Sequence, residues 1–276
     1  MKYININGKL IPSSEASVPY DNRAFRYGYG LFETILYKDD TIQLKELHWE
    51  RLFSGLVQLH FDIPKLMSPE YLENEIIRTV KKNKLEKLCR IRLQVYADSG
   101  GLYADSPKPE FIIECFEIEP AIIQLNENGL TVGIATGLKK SIDTLSNLKT
   151  TNALIYAMAA QQAKANKWND AFIYNTDGHI IESTIANIFW IKDNMIYTPP
   201  LSSGCVAGVM RSFIISSLAG KGINVIEKNI SEDELAKADE VFLTNTIRRM
   251  KWVKVLGSNN LYQKRHIQNV DKMLFN

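Results

Sequence analysis

Cysteine is scarce. The 276 residues hold three, Cys89, Cys115 and Cys205, odd in number and far apart. That excludes a disulfide framework and a clustered-thiolate metal site, and fits free thiols in a reducing cytoplasm. The four histidines, His48, His60, His179 and His266, make no H-x-H or H-x-x-x-H pair, so no metal site is expected. Neither sign of charge dominates: 33 basic against 31 acidic residues leave a net +2. This speaks against a nucleic-acid or anionic-membrane surface. No apolar run approaches the roughly 20 residues that span a bilayer, and Met1-Lys2-Tyr3-Ile4-Asn5 has no signal-peptide core. Internal repeats and low-complexity tracts are missing too. What remains is an ordinary globular composition, 45% hydrophobic and 23% charged, with length for one large domain or two smaller ones.

The order of elements indicates an α/β protein. Residues 2 to 11 read as a hairpin about Asn7-Gly8, a favoured type I′ turn. A glycine- and aromatic-rich stretch from Tyr20 to Gly30 leads into a strand from Leu31 to Tyr37. Leucines at helical spacing mark a helix over 44 to 59, which sets His48 and Arg51 on one side. Ser68 as N-cap and Pro69 at the first position start a helix running to about Asn83. Alternation marks strands at 88 to 96 and 110 to 118, with a Gly/Pro/Ser-containing loop at 97 to 109 between them. The polar stretch from Pro120 to Gly129 is read as a linker. It separates an N-terminal α/β domain, 1 to 119, from a C-terminal domain, 130 to 276. Beyond it the expected order is a strand at 130 to 135, a helix at 153 to 167 and strands at 171 to 174, 185 to 191 and 195 to 198. A helix opening at Gly208, a capping box over Ser231 to Glu234 and a strand at 240 to 243 follow.

Several residues invite a chemical reading. Arg51 can fork two hydrogen bonds to a phosphate, although by spacing alone it reads as a solvated helix arginine. The glycines of Gly204-Cys205-Val206-Ala207-Gly208 precede a helix whose exposed N–H groups suit an anion. Lys149 and Glu182, taken singly, are the kinds of residue usually found on a surface.

Five stretches in order change that balance: Asp21-x-x-x-Phe25-x-Tyr27-Gly28-x-Gly30-x-Phe32-Glu33; Leu47-His48-x-x-Arg51-Leu52; Lys149-x-x-Asn152; Glu182-x-x-x-x-Asn187-Ile188-Phe189; and Gly208-Val209-Met210-Arg211. On these the chain resembles the class IV aminotransferases, enzymes of pyridoxal 5'-phosphate (PLP) with the D-amino-acid-aminotransferase-like fold type IV. The resemblance runs from about Ile4 to Val255. It implies an α+β N-terminal domain and a barrel-like α/β C-terminal domain that binds PLP. It also implies a homodimer with its sites near the subunit interface. By the resemblance Lys149 is the Schiff-base lysine and catalytic base, and Glu182 contacts the pyridine nitrogen. Arg51, Val209, Met210 and Thr246 hold the phosphate, with Met210 standing where relatives often have Thr. Tyr27, Phe32, Thr34, Ile247 and Arg248 are expected to face a small-molecule substrate.

Within the family, the spacing Lys149-x-x-Asn152, the run Phe32-Glu33-Thr34 and the Gly-Val-Met-Arg helix entrance resemble 4-amino-4-deoxychorismate lyase, which forms 4-aminobenzoate and pyruvate in folate synthesis. Branched-chain enzymes usually have an arginine where Leu36 stands. Lyase relatives often carry an arginine in the region of Leu102, which is missing here, and Arg248 or Arg249 could replace it. A branched-chain or broad-specificity aminotransferase therefore stays open. A D-amino-acid aminotransferase lacks support, because its Arg and His pair is absent from the 97 to 109 loop. A PLP-free binding protein would have no reason to keep Lys149 and Glu182 together.

Overall fold

The structure, a computed structural model, describes residues 2–257 and 260–275. The chain forms two compact units, residues 1–122 with 148–152, and residues 123–147 with 153–276.

In the first unit a six-stranded sheet has the order β2-β1-β6-β5-β3-β4. Its strands are β1 (Tyr3–Ile6), β2 (Lys9–Pro12), β3 (Gly30–Lys38), β4 (Thr41–Ile42), β5 (Leu88–Ala97) and β6 (Pro109–Glu117). The β1–β2 turn has positive φ at both Asn7 and Gly8, as a type I′ hairpin requires. A short helix, α1 (Arg23–Tyr27), stops at Gly28, whose φ of 68° lies in the left-handed region. Helices α2 (Lys45–Gln58) and α3 (Pro69–Asn83) carry apolar faces, including Leu52, Leu56, Leu72, Ile76 and Val80. They pack on the β3 and β5 side chains Ile35, Ile91, Leu93 and Val95. Ser68 caps α3 by accepting from the Tyr71 N–H at 3.1 Å.

The other sheet face of this unit carries Phe32 and Thr34 on β3, opposite Gln94 and Arg92 on β5. The segment Leu148–Asn152 lies beside the start of β3. Lys149 O accepts from Phe32 N at 3.0 Å, and Gly30 O accepts from Thr151 N at 2.8 Å. Two residues within that segment's reach explain its seat. Leu148 packs on the core of this unit, and Gly55 of α2 leaves room for the Leu31 side chain, which a Cβ would meet at 2.8 Å.

The second unit holds β7 (Leu130–Lys140), β8 (Asp170–Asn175), β9 (Ile180–Ser183), β10 (Asn187–Lys192), β11 (Met195–Thr198), β12 (Val225–Glu227), β13 (Glu240–Asn245), β14 (Arg249–Leu256) and β15 (Asn260–Leu261). Its helices are α4 (Leu154–Ala165), α5 (Val209–Ala219), α6 (Glu232–Ala236) and α7 (Arg265–Phe275). The strands run β12-β11-β10-β13-β14-β7-β8-β9, and β9 pairs back to β10 through Glu182 and Asn187. That pairing closes β10, β13, β14, β7, β8 and β9 into a barrel around Val132, Phe172, Ile188, Leu243 and Val253. The expected barrel-like α/β character is therefore present, and the fold is mixed α/β throughout.

Strand β7 is longer than the six residues read from sequence. A bulge between Ile134 and Lys139 interrupts its register with β8, after which Lys139 and Lys140 pair with Tyr174 and Asn175. Gly137, at φ 71°, makes the bend, and the Gln162 side chain bonds both backbone groups of Thr136 at 2.9 Å. Strands β4, β9, β12, β14 and β15 and helices α1 and α7 are additional to the elements read from the sequence.

Candidate active site

In the first unit Lys149 is held by its backbone beside β3, with Nζ 4.3 Å from the centre of the Phe32 ring. The guanidinium of Arg92 lies 4.0 Å from the centre of the same ring and donates to Gln94 Oε1 at 2.9 Å. Burial pulls the Arg92 pKa below its ordinary value, with Glu114 opposing and Arg90 assisting. Thr34 sits opposite Arg92 in the β3–β5 register. A lysine amine, an aromatic platform and a half-buried arginine thus share one sheet face. An amine that carries a carboxylate would meet complementary groups there. Tyr27, the other aromatic expected near the substrate, ends α1 with its side chain well exposed. Asn152 backs on to Gly28, where a Cβ would come within 3.1 Å of the Asn152 Cβ.

Arg51 lies one helical turn from His48, and both reach Glu33 on β3. Arg51 Nε donates to Glu33 Oε1 at 2.8 Å, and Nη2 donates to Oε2. His48 Nδ1 stands 2.6 Å from Oε2. Burial alone would raise the Glu33 pKa, but Arg51 and His48 outweigh it and draw it down to about 2. Burial lowers the His48 pKa despite Glu33, so its ring is neutral and Nδ1–H is the donor. His48 Nε2 is buried and has no hydrogen-bond partner. Arg51 is therefore no loose surface arginine: a buried carboxylate fixes the plane of its guanidinium.

In the second unit Glu182, 3% exposed, projects from β9. Its Oε1 accepts from Lys140 Nζ and from the Tyr156 hydroxyl, each at 2.7 Å, and its Oε2 accepts from the Val206 N–H at 2.9 Å. A carboxylate has about four acceptor positions, so one is left on Oε2. Burial and the adjacent Glu182 push the Tyr156 pKa upward, which keeps its hydroxyl a donor. Asn187, the cross-strand neighbour of Glu182, donates to Val206 O at 2.9 Å. One strand pair thus holds Val206 by both its N–H and its C=O.

That grip sets the entrance of α5. Gly208 is its N-cap, no side chain caps the first turn, and a Cβ at Gly208 would fall 1.8 Å from Asn187 Oδ1. The first-turn N–H groups therefore have no N-cap side chain to accept from them, and such groups are the donor set a phosphate takes. Val209 and Met210 bury their side chains in the unit, so they could bind through backbone only. Arg211 turns inward to Pro199 O at 2.9 Å and Glu227 at 3.0 Å, which is a structural role. A buried carboxylate with one open acceptor and an uncapped helix entrance fit the pyridine nitrogen and phosphate of PLP.

Thr246 and Ile247 follow β13, where Asn245 Oδ1 accepts the N–H groups of Ile247 and Arg248 at 3.1 and 2.8 Å. Ile247 is buried. Arg248 lines a small hollow within this unit, with Leu130, Asp170, Thr244 and Lys251. Burial and Arg248 bring the Lys251 pKa down to about 8. Arg249 instead lies over the Phe275 ring at 4.9 Å. Among the described residues no group of His, Cys, Asp and Glu could hold a metal ion.

Three residues escaped the sequence reading. Arg92 had a signal: Arg90, Arg92 and Gln94 alternate along a strand and must share a face. Lys140 had none, since the bulge that delivers it breaks the strand period. Tyr156 stood in a helix read only for its propensity.

The chain is similar in sequence and in fold to known proteins. The family model for Amino-transferase class IV matches residues 30–255. A protein of Methanocaldococcus jannaschii named "Putative branched-chain-amino-acid aminotransferase" is 30% identical over 245 residues, 88% of this chain and 84% of that protein. The aminodeoxychorismate lyase of Vibrio harveyi is 28% identical over 236 residues, 84% of this chain and 85% of the lyase. The crystal structure of a branched-chain aminotransferase from Thermoproteus uzoniensis has the same fold, with a TM-score of 0.88 at 24% identity, covering 99% of this chain and 93% of that one.

Proposed function

The chain belongs to the class IV aminotransferases and is a PLP-dependent enzyme of that fold, and we propose that its reaction is the conversion of 4-amino-4-deoxychorismate to 4-aminobenzoate and pyruvate, a step of folate synthesis. The observation that carries this reading is the sheet face of the first unit. Lys149 and Arg92 flank the Phe32 ring, while Leu36, where branched-chain enzymes usually have arginine, is an apolar side chain buried to 2% exposure.

We assign Lys149 as the residue that holds the cofactor covalently, Glu182 as the partner of its ring nitrogen, and Arg51, the Val209 and Met210 N–H groups and Thr246 as phosphate ligands. Tyr27, Phe32, Thr34, Ile247 and Arg248 remain the proposed substrate contacts, joined by Arg92. PLP, when bound, supplies the electron sink. Lys149 Nζ would act as the general base that takes the proton from the amine-bearing ring carbon of the substrate. Glu182 would hold the proton on the cofactor's ring nitrogen, which is the condition for that chemistry. Loss of the enolpyruvyl group aromatises the ring, and a proton returned to that group completes pyruvate. Arg92 meets a substrate carboxylate.

A second reading, branched-chain or broad-specificity transamination, draws support from the 30% identity to the Methanocaldococcus protein. In it Lys149 would both take and return the transferred proton, and Arg92 would receive the carboxylate of an amino donor. We also propose a cytoplasmic homodimer. Its support is an exposed apolar surface on the first unit that includes Tyr20, Phe25, Leu102 and Tyr103, the last 98% exposed, and three buried, unpaired cysteines. The deciding assay gives PLP-loaded protein aminodeoxychorismate and follows 4-aminobenzoate and pyruvate. Equal formation of both supports the lyase. No product, from protein that converts leucine and 2-oxoglutarate to glutamate, replaces it with the transaminase.

A further inference from the structure

Glu182 receives more attention from this fold than a ring-nitrogen partner requires. The β7 bulge, built on Gly137 and pinned by Gln162, delivers Lys140 to it, while the neighbouring Lys139 stays exposed. Helix α4 delivers Tyr156, and the Lys140 ammonium lies 5.4 Å from the centre of the Tyr156 ring. Both donors converge on the same oxygen, Oε1. The side chains are largely shielded, Lys140 being 11% and Glu182 4% exposed, so their attraction is little screened by water. Oε2 is left to the Val206 N–H and to one further donor.

We propose that Lys140, with Tyr156, is a positioning residue that fixes the Glu182 carboxylate with Oε2 outward and tempers how strongly that carboxylate engages the ring nitrogen of the cofactor. This rests on the reading that Glu182 is the ring-nitrogen partner. The physical reason is charge sharing. A carboxylate already paired with an ammonium and a phenol attracts a further positive partner less than one held by amides alone. The consequence is graded control of the electron sink by residues that never touch the cofactor.

The test compares how tightly the full-length protein binds PLP and a carbocyclic analogue with C–H in place of the ring nitrogen. The ratio of the two dissociation constants isolates the contribution of the nitrogen. A substitution that merely loosens the structure weakens both and leaves the ratio alone. Glu182→Gln should bring the ratio close to one. Lys140→Met should raise it about tenfold, one pKa unit's worth of added preference for the charged ring. Lys140→Arg, which keeps the charge, should leave it unchanged. Tyr156→Phe, which removes one neutral hydrogen bond, should raise it about two- to threefold, and it carries the test if Lys140→Met fails to fold. A ratio lowered by Glu182→Gln but not raised by Lys140→Met or Tyr156→Phe overturns the proposal. A ratio untouched by Glu182→Gln overturns the underlying assignment of Glu182 instead.

Discussion

The two units each bury a carboxylate on a strand, and they treat it differently. Glu33 is gripped by a guanidinium fork and an imidazole, both supplied by one turn of α2. Its pKa falls to about 2, and the pair behaves as a fixed part that holds Arg51 in one plane. Glu182 is held by single-point donors, an ammonium, a phenol and an amide, that come from a strand bulge, a helix and a loop. Single-point donors leave room for another partner and can be altered one at a time. The first arrangement suits a residue that must not move. The second suits a residue whose strength is to be set.

Breaking the first arrangement should have the largest effect. Glu33→Gln leaves Arg51 buried beside a neutral amide, and removing one partner of a buried pair costs about 3–5 kcal/mol; urea unfolding should report a loss of that size. Acid should do gradually what that substitution does at once. The folded pKa of Glu33, about 2, lies below its ordinary 4.5, so its contribution is complete above about pH 4.5 and disappears as the pH falls toward 2. The amount is about 3 kcal/mol, and the loss between pH 5 and pH 2.5 should be smaller by most of that amount in Glu33→Gln.

In the second unit, Gly208→Ala drives a Cβ toward Asn187 Oδ1 and should cost about 1–3 kcal/mol. It should also weaken PLP binding more than tenfold in a direct titration, because it displaces the α5 entrance. The smallest change sharpens the comparison by touching neither carboxylate. Ser231→Ala removes the capping box of α6 and should cost about 1 kcal/mol, with PLP affinity unchanged.

The contrast also separates what could be read from the chain and what could not. The Glu33 site is nearly local: His48 and Arg51 lie three apart on a helix that leucine spacing announces, and only the short strand β4 separates that helix from β3. The α3 cap, the Asn7-Gly8 hairpin and the Gly208 helix entrance were legible for the same reason, since each is decided by neighbours in sequence. The Glu182 site is not local. Strand β9 is four residues long, shorter than a reliable alternation, so the sequence pattern does not mark Glu182 as lying on a barrel-closing strand. Lys140 and Tyr156 reach it across 42 and 26 residues. Only the fold brings them there. The segment about Lys149 shows the same limit, since it pairs with β3 more than a hundred residues earlier. Its chemistry was suggested by family resemblance and not by spacing.

Borohydride reduction of the PLP-loaded protein, followed by peptide mass mapping, tests the central assignment most directly. The account predicts the phosphopyridoxyl label on Lys149, and its loss together with a fall in turnover of about 10²–10⁴-fold or more in Lys149→Ala. A label on another lysine of the parent protein, or full turnover in Lys149→Ala, would contradict it.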